Sequence, residues 1–173
     1  HTVLGKLGAF NGIDLRFAPS DAGQAIEAWL RPGWRAVVQS EGDLGRRMAS
    51  AFADAFRAGA KRVVIVGSDC PYLEPEDIRT AWTHLRMCDL VLGPAEDGGY
   101  WLIGLREAQP ELFENVAWSS ARVFAETMER AKTLGLKSFL LRKLSDVDTR
   151  ADWERFIAAE ALSRTPHRLP GAD

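Results

Sequence analysis

Aspartates stand at three points of the sequence where an apolar run has just ended. Asp69 follows the run 62–67 (RVVIVG), and Asp97 lies between two later apolar runs. Asp146 and Asp148 alternate in SDVDT, so an extended chain places both carboxylates on one side. Carboxylate oxygens at the end of a buried strand are ligands for Mg²⁺ or Mn²⁺, and such an ion can carry a diphosphate. The spacing therefore predicts a divalent-metal site.

Each of these aspartates also has a purely structural interpretation. Asp69 fits a capping residue in a turn, and Asp97 with Gly98 fits a hairpin turn of the Asp-Gly class. Asp148 or Thr149 could cap the helix that follows, a role that can coexist with metal binding. The residue pattern alone leaves both interpretations open.

Two glycine-containing segments could admit a ligand. Gly98 and Gly99 permit backbone conformations that other residues avoid, which lets a ligand approach the main chain. The segment 39–48 (QSEGDLGRRM) is predicted to run from a strand into a helix whose N-terminus could face an anion. Arg46 and Arg47 would lie in its first turn, where positive charge opposes the helix dipole, which favours contact with a phosphate or a carboxylate. Exposed salt bridges explain these arginines nearly as well.

The elements that must position these residues alternate between strands and helices. Periodicity and turn residues predict strands at 12–18, 34–39, 62–67, 89–93, 100–105 and 137–141 and helices at 22–30, 44–58, 75–87, 121–135 and 152–162. The continuous apolar run 62–67 predicts a central parallel strand covered on both faces. The alternation predicts a three-layer α/β/α architecture with a mostly parallel sheet. We expect one domain over 1–162 and a flexible polar tail over 163–173.

Composition narrows the function classes. The formal net charge of -2 over 173 residues does not produce a positive electrostatic field that would attract nucleic acid. No run of the sequence approaches the ~20 apolar residues of a membrane span. The two cysteines, Cys70 and Cys88, form neither a CxxC nor a zinc spacing, which favours a reduced cytoplasmic setting. There is no P-loop, no GxGxxG and no Ser/His/Asp arrangement. Small molecules are the expected partners.

Five blocks of sequence, taken in order, resemble the DUF2064 family. They are QSEGDLGRRM (39–48), VIVGSDCPYL (64–73), LVLGPAEDGGYWLIGL (90–105), the segment 113–119 and LSDVDTRADW (144–153). The resemblance runs from about residue 14 to residue 156. That family is also labelled "transferase 1, rSAM/selenodomain-associated" and belongs to the GT-A-like nucleotide-diphospho-sugar transferases. The resemblance implies a GT-A fold related to the molybdenum-cofactor and phospholactate guanylyltransferases.

The resemblance also implies roles for individual residues. Asp69 and Asp148 match the metal-binding aspartates with Asp146 assisting, and Asp97 and Asp69 are the expected catalytic residues. Asp69 lies in SDC rather than in a DxD motif, so the usual metal signature of glycosyltransferases is half present. The expected substrate-binding residues are Gly42, Asp43, Gly45, Arg46, Ser68, Gly98, Gly99, Tyr100, Trp118 and Ser119.

The function implied is a Mg²⁺- or Mn²⁺-dependent transferase that uses a nucleotide-diphosphate-sugar donor and a small-molecule acceptor. One alternative is a nucleotidyltransferase that releases pyrophosphate, and another is a non-catalytic nucleotide-binding domain of the same fold. A carboxylate phosphatase fits less well because the segment after Asp69 lacks a second aspartate. The sequence leaves open a homo-oligomer, the donor base and the acceptor.

The start of the chain departs from the family pattern. Family members open with a strand and a loop rich in Lys and Arg that grips the nucleotide, and no such segment precedes residue 10. We therefore expect the first strand and roughly 40 to 50 residues of a family-sized domain to be missing. On that expectation the chain as given is an incomplete and inactive piece of an enzyme.

Overall fold

The computed structural model describes residues 2–164, with side chains through residue 161. The helices are α1 (Thr2–Leu7), α2 (Gly23–Glu27), α3 (Leu44–Arg57), α4 (Pro75–His84), α5 (Val123–Thr133) and α6 (Arg150–Arg164). The strands are β1 (Asp14–Phe17), β2 (Arg35–Val38), β3 (Val63–Val66), β4 (Leu90–Pro94), β5 (Tyr100–Leu105) and β6 (Ser138–Leu140). Short 3-10 turns span Ser20–Ala22 and Pro110–Phe113. The predicted α/β class is confirmed.

The strands form two sheets. β1 and β2 pair in parallel, and the second sheet has the order β3-β5-β4-β6. β5 runs antiparallel to both of its neighbours, while β4 and β6 are parallel. The four-stranded sheet is thus mixed, where the sequence predicted a mostly parallel one. The reason is the short connection 95–99 between β4 and β5, since a turn of that length joins only antiparallel strands.

β3 lies at the end of the four-stranded sheet, so the prediction of a central parallel strand is wrong. Among the described strands it pairs only with β5, and all four of its residues are partly exposed. The apolar run correctly predicted cover on both faces, because Val64 and Val66 pack on one core cluster and Val63 and Ile65 on the other. The apolar character of a strand reports the covering of its faces and says nothing of its place in the sheet.

Helices cover both faces of the four-stranded sheet. On one face, α1 and α4 contribute Leu7, Ile78 and Ala81 to a cluster that includes Val91 of β4. On the other face, the cluster around Leu92 of β4 includes Phe52 of α3 and Ala131 of α5. Consecutive residues of β4 thus point into opposite clusters, as the alternation of a strand requires. The three-layer arrangement follows from these two cores.

α3 connects the two sheets. Its Asp54 carboxylate accepts a hydrogen bond from the Arg16 guanidinium of β1 at 3.0 Å, and Arg47 donates to the Gln39 side chain after β2 at 3.2 Å. The same helix contributes Met48 and Phe52 to the core against which β3 packs. The loop that leads into α3 is therefore held next to the end of the four-stranded sheet.

The C-terminal helix extends further than expected. α6 includes Ser163 and Arg164, which the sequence placed in the flexible tail, and the rest of that tail (165–173) lies outside the described residues. None of the helices in residues 2–164 combines the length and the apolar character that crossing a membrane requires.

Candidate functional site

One edge of the four-stranded sheet collects the aspartates. β3, β4 and β6 run in the same direction, so their carboxyl ends meet at this edge. Asp69 follows β3, Asp97 follows β4, and Asp146 and Asp148 follow β6. The antiparallel β5 begins here as well. Aspartates that are far apart in the sequence thus come from neighbouring strand ends.

Main-chain hydrogen bonds lock these strand ends together. The amide of Glu96 donates to the carbonyl of Leu144 at 3.0 Å, and the amide of Val147 donates to the carbonyl of Asp69 at 2.9 Å. The Cys70 thiol is 3.5 Å from the carbonyl of Ser145. These contacts fix the SDVDT segment between the loops that carry Asp69 and Asp97.

The crowding of carboxylates is strongest at Asp146. Burial and, in decreasing order, the negative charges of Asp97, Asp69, Asp148 and Glu96 together raise the pKa of Asp146 to about 7. No hydrogen bond or ion pair joins the side chain of Asp69, Asp146 or Asp148 to another residue of the described range. A bound cation would relieve this repulsion and favour the ionised carboxylates.

Hydrogen bonds decide two of the structural interpretations, the cap at Asp148 or Thr149 and the turn at Asp97, and they also show a cap at Asp43. Thr149 caps α6, because its hydroxyl accepts from the Asp152 amide at 3.2 Å and its amide donates to the Asp152 carboxylate at 2.8 Å. Asp148 takes no part in this cap. Asp43 caps α3 by accepting a hydrogen bond from the Arg46 amide at 2.8 Å. The Asp97 carboxylate accepts from the Gly99 amide at 2.8 Å, as expected for a turn.

A cleft with two cavities lies at this edge. The larger has a volume of about 330 Å³ and the smaller about 280 Å³. Asp97, Asp146 and Asp148 line both, so the carboxylates form the wall that the cavities share. We call these the larger and the smaller cavity. Their sizes are those of sites for small molecules or for parts of a longer ligand.

Some of the predicted site residues line these cavities and others do not. The larger cavity is lined by eight of them: Asp69, Asp97, Gly99, Tyr100, Trp118, Ser119, Asp146 and Asp148. The lining of the two cavities does not include Gly42, Asp43, Gly45, Arg46, Ser68 or Gly98. Two of these nevertheless shape the site, because a side chain at Gly45 would meet the Trp118 indole and one at Gly98 would meet the Ala121 backbone.

Sequence reasoning missed several lining residues. They are Leu44, Ala95, Ser120, Ala121 and Val123 in the larger cavity and Tyr72, Glu96, Ser145, Asp152 and Arg155 in the smaller. Several of them belong to segments that had been singled out, so their neighbours were the available signal: Leu44, Tyr72, Ala95, Glu96, Ser145 and Asp152. Arg155 forms an ion pair with Asp152, whose pKa is lowered to about 2 by the Thr149 hydrogen bond and by Arg155.

The carboxylates suit a metal that also binds a phosphate. No group of three or more His, Cys, Asp or Glu side chains within residues 2–161 is arranged to hold a metal ion by itself. Mg²⁺, however, is commonly bound by one or two carboxylates together with waters and substrate phosphates rather than by a protein cage. The donors at this cleft are oxygens, and the side chains of Asp69, Asp146 and Asp148 have no competing partner. The residues therefore fit an ion whose remaining ligands come from water and a bound phosphate group.

Solved structures share this fold. A "putative nucleotide-diphospho-sugar transferase" from Desulfovibrio desulfuricans G20 is 31% identical, with a TM-score of 0.85 over 98% of this chain and 75% of that one. A CMP:2-keto-3-deoxy-manno-octonic acid synthetase complexed with CTP matches at 13% identity and a TM-score of 0.63, over 94% of this chain and 87% of that one. Molybdopterin-guanine dinucleotide biosynthesis protein A from Archaeoglobus fulgidus matches at 14% identity and a TM-score of 0.59, over 95% of this chain and 85% of that one.

These likenesses identify the fold as that of the nucleotide-diphospho-sugar transferases. None of the curated proteins matches the sequence. The family model described as "Uncharacterized protein conserved in bacteria (DUF2064)" matches residues 9–120, which include the loop of Asp69, the turn of Asp97 and the Trp118 segment. The chain therefore belongs to the DUF2064 family.

Proposed function

We propose that the cleft binds a nucleotide-diphospho-sugar with Mg²⁺ or Mn²⁺ and that the protein transfers the sugar to a small-molecule acceptor. The observation that carries the proposal is the meeting of four aspartates at the strand ends, where Asp97, Asp146 and Asp148 form the wall that both cavities share and Asp69 lines the larger cavity. The 31% identity to a protein described as a nucleotide-diphospho-sugar transferase supports the same chemistry.

The charge of the cleft supports a metal. Among the described residues that line the larger cavity none is Lys or Arg, and the smaller cavity contains only Arg155. A diphosphate would be repelled by the carboxylates unless a cation came with it. Asp69, Asp146 and Asp148 would hold Mg²⁺ or Mn²⁺, which when bound neutralises the charge of the diphosphate leaving group.

Asp97 is the proposed general base. Its Oδ1 accepts a hydrogen bond from the Gly99 amide, which orients the carboxylate while its second oxygen stays available. In the transfer, the acceptor oxygen forms a bond to the anomeric carbon and the bond from that carbon to the diphosphate oxygen breaks. Asp97 takes the proton of the acceptor hydroxyl, and the nucleoside diphosphate leaves.

The proposed setting is a reducing one. Cys70 and Cys88 are both free thiols and buried, so neither forms a disulfide. Cytosolic proteins keep their thiols reduced, and free buried cysteines are common there. We therefore place the proposed reaction in the cytoplasm.

Thermal unfolding with and without ligand tests the nucleotide site. GDP, UDP, ADP, CDP and their sugar conjugates would each be added to the protein with and without Mn²⁺. A ligand at ~100 times its dissociation constant adds about 2.7 kcal/mol, which at about 2–4 °C per kcal/mol raises the melting temperature by about 5–11 °C. We expect this shift for one base, and only when Mn²⁺ is present.

Matched variants assign the shift to the cleft. Asp148→Asn should abolish the Mn²⁺-dependent shift with little loss of stability, because Asp148 has no partner in the described structure. Asp21→Asn, an exposed aspartate in the 3-10 turn, should leave the shift unchanged. If no base gave a shift in the wild-type protein, the transferase proposal would be wrong. Release of pyrophosphate from a nucleoside triphosphate, in place of a nucleoside diphosphate from its sugar conjugate, would replace sugar transfer with nucleotidyl transfer.

A further inference from the structure

The larger cavity has an aromatic wall opposite its carboxylates. The Trp118 indole lines the cavity together with Leu44, the first residue of α3, which is 53% exposed. Leu44 belongs to neither core cluster, whereas Trp118 packs in part against the cluster around Leu92 and also lines the cavity. This apolar wall suits a ligand with an apolar face.

The indole is held in place by a glycine. A Cβ atom at Gly45 would lie 2.5 Å from atoms of the Trp118 ring, so the ring lies directly on the first turn of α3 where only glycine fits. The amide of Trp118 also donates to the carbonyl of Val116 at 2.8 Å. The ring plane is therefore fixed before any ligand binds, which reduces the entropy lost on binding.

The segment 117–121 is anchored at its other end as well. The backbone of Ala121 lies against Gly98, where a Cβ atom would come within 2.6 Å of the Ala121 carbonyl carbon. The Phe124 amide donates to the Gly98 carbonyl at 2.9 Å. Between the two anchors Ser119 has a φ of 63°, a left-handed conformation that residues other than glycine rarely adopt. Two glycines from different segments thus position one wall of the cavity.

This wall also offers polar groups that the protein does not use. The indole N–H of Trp118 makes no hydrogen bond to any described residue, whereas those of Trp34 and Trp101 donate to main-chain carbonyls. The Ser119 hydroxyl is likewise without a partner in the described structure, while that of Ser120 donates to the Ala117 carbonyl at 2.7 Å. An unused indole donor beside an apolar ring face can orient a ligand by hydrogen bonding.

We propose that the larger cavity holds the sugar ring of the nucleotide sugar, stacked on Trp118 and Leu44 with its hydroxyls toward the carboxylates. A pyranose ring has an apolar C–H face that packs on an aromatic ring, and hydroxyls that donate to carboxylates and accept from the indole N–H. The carboxylate wall offers acceptors only, so it suits a ring surrounded by hydroxyl donors better than a pyrimidine with two carbonyl oxygens. This inference rests on the proposed function and adds the position of the transferred group.

Calorimetric titration in Mn²⁺ separates the sugar from the nucleoside. The probes are the nucleoside diphosphate and the hexose conjugate of the base that gives the thermal shift. Trp118→Ala should weaken binding of the sugar conjugate by about 10-fold and leave binding of the nucleoside diphosphate within about 2-fold, since a lost aromatic contact of ~1.4 kcal/mol is tenfold. Trp118→Phe, which keeps a ring face, should lose less.

Further variants keep the result interpretable. Leu44→Ala removes an exposed side chain and should also weaken the sugar conjugate selectively, even if Trp118→Ala unfolds the protein. Trp29→Ala, at a tryptophan that is 41% exposed and outside both cavities, should change neither affinity.

The possible results separate this inference from the proposed function. Equal weakening of both probes by Trp118→Ala would show that the ring holds the nucleoside, and no weakening of either would show that the wall is unused. Each of these results overturns the sugar site while leaving the nucleotide site standing. Failure of wild-type protein to bind either probe would overturn the proposed function and this inference with it.

Discussion

Substitution of Gly98 by alanine tests whether the approach of the Ala121 backbone shapes the site. Gly98 has a φ of 92°, and the three nearest atoms to an added Cβ are the oxygen, carbonyl carbon and Cα of Ala121. Because these are backbone atoms, relief requires movement of the segment that carries Trp118. The substitution therefore combines a conformational cost with a steric one.

Gly59 separates the two costs. It follows α3 with a φ of 94°, almost the same as that of Gly98, and an added Cβ would have nothing within 4 Å. The left-handed conformation alone costs about 1–2 kcal/mol for an alanine, which is the loss expected for Gly59→Ala. The steric conflict at Gly98 adds about 1–3 kcal/mol, a range typical of overpacked sites. We therefore expect about 2–5 kcal/mol for Gly98→Ala.

Urea unfolding followed by tryptophan fluorescence measures both free energies of unfolding. The difference between the two variants, about 1–3 kcal/mol, should appear as a lower midpoint at an unchanged slope. A melting temperature lower by about 2–4 °C per kcal/mol should accompany it in a domain of this size. If Gly98→Ala were no less stable than Gly59→Ala, the close approach of Ala121 would not constrain the fold.

Two further predictions concern ionisable groups that do not line either cavity. Burial opposes ionisation of Asp77, but hydrogen bonds from Arg142 and from the Glu74 amide outweigh it and hold the Asp77 pKa below 3.8. The stabilisation by the ionised Asp77 is complete above its unfolded pKa and is lost as pH falls through its folded pKa. Asp77→Asn should therefore lower the free energy of unfolding by about 1–3 kcal/mol at pH 7 and by progressively less below about pH 4. Urea unfolding midpoints measured at several pH values check this, and a pH-independent loss would contradict it. Burial, together with the negative charges of Asp146 and Asp69, raises the Cys70 pKa to about 12. DTNB should therefore react slowly with Cys70 in the native protein and rapidly with both thiols after unfolding. Rapid reaction of Cys70 in the native state would refute its burial.

The gathering of the aspartates could be predicted, because it depends on strand direction alone. Any parallel strands put their carboxyl ends at one edge, so Asp69, Asp97 and Asp146 had to meet once the apolar runs were recognised as strands. The capping role was ambiguous between Asp148 and Thr149, since both stand at the start of α6. The hydrogen bonds between Thr149 and Asp152 resolve this ambiguity, because they show that Thr149 is the cap and that Asp148 takes no part in it.

The walls of the cavities could not be predicted in the same way. Leu44 fits an amphipathic helix pattern, and only the position of α3 against the Trp118 segment leaves it exposed at the cleft. Ala121 was expected to lie inside a helix, but α5 begins at Val123, so Ala121 belongs to the connecting segment. Its contact with Gly98 joins residues that are distant in the sequence, and no local pattern encodes it.

The reversed direction of β5 explains why the glycine turn matters. In an all-parallel sheet the chain after Asp97 would have to cross to the opposite edge before the next strand began. The short turn instead returns the chain at once, so Tyr100 starts β5 at the same edge where β4 ends. Gly99 and Tyr100 thereby line the larger cavity beside Asp97. Gly98 contacts the backbone of Ala121, in the segment that carries Trp118. One antiparallel strand thus brings the predicted turn, the carboxylates and the aromatic wall to the same cleft.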